Sequence, residues 1–241
     1  QVCSTSLHPK RRPSMPDDLT VAGAEGYPAI RSFNDYDLKD DLLRGISAQG
    51  LEDPRTIQQH CIKPILDGRD TIVQGESGTG KTAALIIGCL ERVDCGRHVC
   101  QALVLVPTRE RAQGVQHLVF ALGGYLSIRC HAFVGGSLVR DDIDRLREGQ
   151  QLVAGTPYLA LDMIQKRHLC VDKVRTLVLC EADDMLSRGG RVQIYGIFET
   201  LSLKVQVCLS SATMPPEVLD LSTRFTRDVA WIRARKTNEA A

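Results

Sequence analysis

The chain has 241 residues, 43% of them hydrophobic and 24% charged, with no apolar run near 18 residues; this fits one soluble α/β core and excludes a membrane-spanning helix. Thirty Lys and Arg against twenty-nine Asp and Glu leave a net charge of +1, so there is no global electrostatic footprint for nucleic acid and any such contact must be local. Nine cysteines, an odd count without a Cys-x-x-Cys pair, argue against a disulfide framework and for reduced thiols inside the cell; Cys95, His98 and Cys100 match no common zinc spacing.

Residues 1–29 carry Pro9, Pro13, Pro16 and Pro28 and few large apolar side chains, a composition that cannot offset its ordering entropy by burial. A flexible tail is expected there. Within it, Lys10, Arg11 and Arg12 form a solvated charge run, with a nuclear signal or an RNA arm as alternatives. A chain that begins at Gln1 reads as a fragment or a processed product, so a targeting segment can have been lost.

From Thr71 onward, short β-rich runs alternate with segments of helical periodicity. Strands are expected at 71–74, 102–106, 128–133, 151–154, 174–180 and 206–210, and helices at 82–92, 110–122, 142–147, 159–166, 192–201 and 216–225. Continuous apolar runs such as Leu103, Val104, Leu105 and Val106 suit a parallel sheet with helices on both faces. Ligands of such α/β sheets bind beyond the carboxyl ends of the strands, so the informative residues should follow each strand.

The first of these junctions reads Gly75, Glu76, Ser77, Gly78, Thr79, Gly80, Lys81, Thr82, a complete G-x-x-x-x-G-K-[ST] loop between a strand and a helix. Glycines let backbone N–H groups wrap phosphates, and the helix N-terminus adds partial positive charge. Lys81 neutralises the outer phosphates, and Thr82 offers a hydroxyl to magnesium. Many chemistries share this loop, so its neighbours must discriminate.

Upstream lie Phe33, Gly50, Pro54, Ile57 and Gln58; downstream follow Pro107 to Arg109, Gly135 with Gly136, Cys180 to Asp183 and Ser211 to Thr213. With the loop, these resemble the N-terminal RecA-like domain of DEAD-box ATP-dependent RNA helicases, of the kind of eukaryotic initiation factor four-A and its exon-junction relative. The first set, from Phe33 to Gln58, resembles the family's Q motif. That resemblance implies Phe33 stacking on adenine and Gln58 bonding its polar edge, the amide offering both a donor and an acceptor. Pro107, Thr108 and Arg109 resemble motif Ia, Gly135 and Gly136 the GG element, and Thr156 opens a Thr-Pro pair. These imply sequence-independent contacts to an RNA backbone, single-stranded or duplex. Cys180, Glu181, Ala182 and Asp183 stand for the Asp-Glu-Ala-Asp box, which implies Glu181 as the base for the attacking water, beside Lys81. Ser211, Ala212 and Thr213 resemble motif III, which together with Asp183 links nucleotide state to RNA separation in the family. The similarity runs from about Phe33 to Ile232. It implies a tail at 1–29, a Q-motif region at 30–60, an ATP-binding RecA-like P-loop domain at 61–234, and residues 235–241 leading toward a second domain with its arginine fingers. The implied cofactors are ATP and magnesium. The implied partners are RNA and a translation or splicing scaffold, with no membrane and a cytoplasmic or nuclear location.

Four departures stand out. Cys180 replaces the first acid of the box, and a soft, neutral thiol is poorly matched to magnesium. Tyr158 and Leu159 stand where the family has Gly and Arg, which removes a phosphate-facing arginine. Arg111 stands where Leu is usual, and Gly190 where an aromatic follows Arg188 and Gly189. Unwinding is not expected of this chain alone. Alternatives are a helicase-like module binding ATP, RNA or a scaffold without turnover, and a different P-loop enzyme such as a nucleotide kinase, for which no lid is visible.

Overall fold

The computed structural model describes residues 19–22, 27–133 and 139–236. Lys10 to Arg12, Gly135, Gly136 and residues 237–241 lie outside the described residues. The strands in chain order are β1 (Leu19–Ala22), β2 (Thr71–Gln74), β3 (Ala102–Leu105), β4 (Cys130–Ala132), β5 (Leu152–Gly155), β6 (Thr176–Leu179), β7 (Gln206–Ser211) and β8 (Ala230–Lys236). They form one sheet in the order β1-β8-β2-β7-β6-β3-β5-β4, parallel except for β1, which runs antiparallel to β8. The helices are α1 (Asp40–Ala48), α2 (Thr56–Leu66), α3 (Lys81–Arg92), α4 (Arg109–Leu122), α5 (Val139–Arg147), α6 (Pro157–Gln165), α7 (Ala182–Ser187), α8 (Arg191–Thr200) and α9 (Pro216–Phe225), with a 3-10 turn at Phe33–Tyr36.

The expected α/β class, with helices on both faces, is what the chain adopts. Period-two alternation divides the strand residues between two cores. Val73, Val104, Val178, Cys208 and Ile232 face α1 to α4, where they meet Leu42, Ile62, Leu85 and Val119. Ile72, Leu103, Leu105, Leu177, Leu179 and Leu209 face α6 to α9, where they meet Met163, Met185, Ile194 and Leu221. Each such fully buried aliphatic side chain contributes about 1.5–3 kcal/mol relative to exposure. On the first face α2 and α3 pack closely because position 88 is Gly: a Cβ there would lie 2.3 Å from Ile65 Cγ2. On the outer strand β4, His131 Nε2 lies 2.7 Å from Asp142 Oδ1, tying buried Asp142 and α5 to the sheet.

Four elements depart from the sequence expectation. Leu19–Ala22, inside the segment expected to be a tail, is a strand, because pairing with β8 needs only backbone donors and acceptors. Strand β8 extends to Lys236, past the expected domain limit at 234, and its alternation of buried Ala230 and Ile232 with exposed Arg233 is the ordinary half-buried pattern. Helices α1 and α2 fill the region treated only as a motif; α2 accommodates Pro64, and Asp67 and Gly68 still close its last turn on Lys63 and Ile65 carbonyls. Among the described residues no helix is long and apolar enough to cross a membrane.

Candidate nucleotide site along the carboxyl edge of the sheet

Because β2, β3, β5, β6 and β7 are parallel, the segments that follow them share one edge. The phosphate-binding loop follows β2 and turns into α3 through Gly80, whose φ of 91° is open to glycine and costly for other residues. Lys81 is 8% exposed, and its ammonium donates to the carbonyls of Gly75 and Glu76. Burial lowers its pKa, while Glu181, Asp183, Cys180 and Glu76 pull it partly back.

Two other segments fasten this loop. The Gln58 Nε2 donates to the Gly80 carbonyl at 3.2 Å while Gln58 Oε1 accepts from the Arg55 N–H at 2.8 Å. Both ends of the amide are therefore engaged within the protein. The Arg55 guanidinium donates to the Gly78 carbonyl at 2.6 Å. From β7, the Ser211 carbonyl accepts from Gly75 N–H at 3.1 Å. Gln58 thus lies beside the loop, whereas Phe33, 3% exposed, lies in the core next to Tyr36 with ring centroids 6.4 Å apart. Tyr36 in turn donates to the Gln58 carbonyl at 3.1 Å, so this turn braces α2 from behind.

The box after β6 holds different chemistry. Cys180 is 3% exposed, and burial pushes its thiol up to about 12, with Ser210 and Thr82 drawing it only partly back. The buried Ser210 hydroxyl next to it finds no partner of ordinary hydrogen-bond geometry. Glu181 takes φ 57°, a left-handed conformation that costs a non-glycine residue about 1 kcal/mol or more, and its Oε1 lies 3.3 Å from Arg111 Nη2. Asp183 Oδ2 accepts from the Thr213 N–H at 2.9 Å and hydroxyl at 2.7 Å, and the Ser211 hydroxyl accepts from Asp183 N–H at 3.3 Å. Burial pushes the Asp183 carboxyl up, but these bonds outweigh it and hold the group below the ordinary carboxylate range.

The donor set does not fit magnesium. The thiol is neutral and buried, Glu181 is paired with a guanidinium, and Asp183 is committed to Thr213, which leaves the Thr82 hydroxyl without a free carboxylate beside it. Among the described residues no group of three His, Cys, Asp or Glu could hold a metal.

Along the same edge, the Thr108 hydroxyl caps α4 by accepting from Arg111 N–H at 3.3 Å, and Arg109 is exposed at the helix start. Pro107 and Thr156 border one cleft of about 230 Å³ with Tyr158, Arg188 and Gly190; Tyr158 is 71% exposed. The structure therefore gathers the phosphate loop, box, motif III, Pro107 to Arg109 and Thr156 on one edge. Sequence patterns did not signal Arg55 or Ser210, since each acts through a contact distant along the chain. Arg111 was visible only as an exchanged residue.

The family model described as DEAD/DEAH box helicase matches residues 55–221. The chain is 53% identical over 199 residues to "Eukaryotic initiation factor 4A" of Cryptosporidium parvum, covering 83% of this chain and 49% of that protein. It is 50% identical over 205 residues to "ATP-dependent RNA helicase eIF4A" of Emericella nidulans, covering 85% and 52%. It therefore spans about half the length of these relatives. Among solved structures, a DEAD box protein from the hyperthermophile Methanococcus jannaschii superimposes with a TM-score of 0.83 at 31% identity, covering 86% of this chain and 57% of that one. The S. cerevisiae dbp5 structure, bound to gle1 and ip6, gives 0.79 at 29% identity, covering 86% and 53%. Relatives this similar over most of the chain, together with a family match across the phosphate loop and the box, establish that the chain belongs to the DEAD/DEAH box helicase family.

Proposed function

We propose that this chain is an ATP-binding and RNA-binding helicase domain, translation-initiation-factor-like, whose hydrolytic step is weakened at the box. The observation that carries ATP binding is the loop from Gly75 to Thr82 at the start of α3, held from both sides by Gln58 and Ser211. Backbone N–H groups of the loop and Lys81 take the phosphates, and Gln58 with Phe33 marks the adenine end. Phe33 would have to leave its packing with Tyr36 to stack on a base. RNA runs past Pro107, Thr108, Arg109 and Thr156, and Arg109 supplies a fork for phosphate; Gly135 and Gly136, which the resemblance assigns to RNA, lie outside the described residues. Glu181 is the base for water, and Asp183, Ser211 and Thr213 couple the box to the phosphate loop.

The names of its relatives support a cytoplasmic, translation-linked setting with a scaffold protein as partner; a nuclear, splicing-linked one is the alternative. Titration of the chain with ATP checks the binding claim: saturable binding is expected, and Lys81→Ala should weaken it about 100-fold, as loss of a charge-assisted set of phosphate contacts worth about 2–3 kcal/mol implies. Binding that ignores Lys81→Ala would sink the proposal.

A second function, binding of ATP, RNA or a scaffold without turnover, is favoured by the buried Cys180 thiol. RNA-stimulated phosphate release, compared between this chain and Cys180→Asp with a second domain supplied, separates the two.

A further inference from the structure

At the opposite edge of the sheet, the segments that precede β3, β6 and β7 bring together a cluster of cations. Two short turns hold them at the surface. Between buried Val171 and Val174 the Val174 N–H donates to the Val171 carbonyl at 3.0 Å, which leaves Asp172 and Lys173 exposed. Between buried Leu201 and Val205 the Val205 N–H donates to the Ser202 carbonyl at 3.0 Å, which leaves Leu203 and Lys204 exposed. Arg175 is fixed at the start of β6 by main-chain bonds on both sides, to the Gln101 carbonyl at 2.8 Å and from the Gln206 N–H at 2.9 Å. Buried Gln101 donates to the Arg97 carbonyl at 3.0 Å and holds that loop in place. The result is a cleft of about 190 Å³ lined by Arg97, Lys173, Arg175 and Lys204, with Asp172 as its one acid.

Elsewhere cations are answered by carboxylates: Arg188 by Asp184 at 2.9 Å, and Arg191 and Arg224 by Asp220 at 2.8 and 2.9 Å. The four cations of the cleft pair with no acid among the described residues. Like charges gathered without counterions repel, and an anionic ligand relieves that cost. The lining has no aromatic ring, so it offers no platform for the bases of a single strand. It is also smaller than the pockets of about 300–1,000 Å³ that enclose whole small molecules, and suits a few side chains instead. Apolar groups flank it: Leu203 is 85% exposed and Val99 39%. A nucleic-acid backbone gains nothing from Leu203, whereas a protein segment can cover it.

We propose that this cleft docks a partner protein through an acidic segment whose Asp and Glu side chains meet the four cations and whose one apolar residue packs on Leu203. The carboxyl edge, with the phosphate loop and the box, stays open when the partner is seated. The inference stands independently of the ATP and RNA assignments.

The probe is a short fluorescein-labelled peptide of Asp and Glu with one central Leu, titrated into the whole chain by anisotropy at low salt. Saturable binding is expected, and it should fade as salt approaches about 1 M, where screening acts within about 3 Å. Arg175→Glu and Lys204→Glu should each weaken it about tenfold, and Leu203→Ser about threefold. Arg145→Glu, the same charge change on α5, should alter it by less than about twofold. Unaltered ATP affinity in these variants shows that they are folded and separates this test from the nucleotide reading. No saturation, or an equal loss in Arg145→Glu, overturns the site. Oligo(U) that binds with the same dependence on Arg175 and Lys204 would give the cleft to nucleic acid. Inorganic pyrophosphate that displaces the peptide, with Leu203→Ser silent, would make it a plain anion site. Either of these results overturns the protein assignment.

Discussion

The junction of β2 with α3 and the junction of β6 with α7 lie on the same edge of one sheet, separated by β7. Their chemistry has diverged to different extents. At the first, the motif consists largely of backbone: Gly80 at φ 91°, a helix N-terminus, and carbonyls that tie the loop to Lys81, Arg55 and Gln58. At the second, the motif consists of side chains, and a thiol takes an acid's place without disturbing the strand, since the Cys180 N–H still donates to the Leu105 carbonyl at 2.9 Å. A buried thiol packs as a small hydrophobe, so the fold registers little cost where the chemistry loses a ligand. Geometry built from backbone resists exchange; function built from one side chain does not.

The sharpest way to break this contrast is Cys180→Asp. The carboxylate gains the Ser210 hydroxyl as a donor and stands beside Thr82. Magnesium should then raise ATP affinity about tenfold in the variant and less than twofold in the natural chain, read by calorimetry with and without EDTA. An equal response in both would show that the thiol is not the lesion.

At the backbone junction, Gly80→Ala forces a side chain onto a positive φ and brings its Cβ within 2.8 Å of Gln58 Nε2. A loss of about 1–2 kcal/mol in urea unfolding is expected, with weaker ATP binding as the tether to α2 gives way. Unchanged stability would mean that the loop is freer than its bonds imply.

The smallest effect belongs to Asp183→Asn. The folded pKa of Asp183 lies below its unfolded value near 3.9, so its contribution is present above about pH 4 and lost as pH falls through the lower folded value. The variant should be about 1 kcal/mol less stable at pH 7, with the gap narrowing as pH falls below about 4, as urea midpoints measured across that range would show. A gap that does not narrow at all with falling pH would assign the effect to packing.

Legibility in the sequence followed the same division. The phosphate loop, the strands from β2 to β7 and the sharing of one edge by the motifs were readable, because glycine spacing and apolar runs encode backbone geometry locally. The pairing of Arg111 with Glu181 was not: its departure from leucine is visible, but its partner is 70 residues away and is brought close only by the adjacency of β3 and β6. Ser210 looks like one more strand residue until its buried hydroxyl is found beside Cys180. Strand β1 escaped for a different reason, since a pairing made by the main chain leaves little trace in side-chain composition.

That strand also bears on how the molecule meets its own kind. The outermost strands of the sheet, β1 with four residues and β4 with three, are shorter than β7 with six and β8 with seven, which lie inside. An open row of main-chain donors and acceptors invites a second molecule to add a strand, and the invitation weakens with length. With Leu19–Ala22 laid along Arg233–Lys236 and β2 along Ala230–Arg233, each part of the longest strand has a partner on one side, and among the described residues the strands left at either border are short templates for growth of the sheet from one molecule into the next.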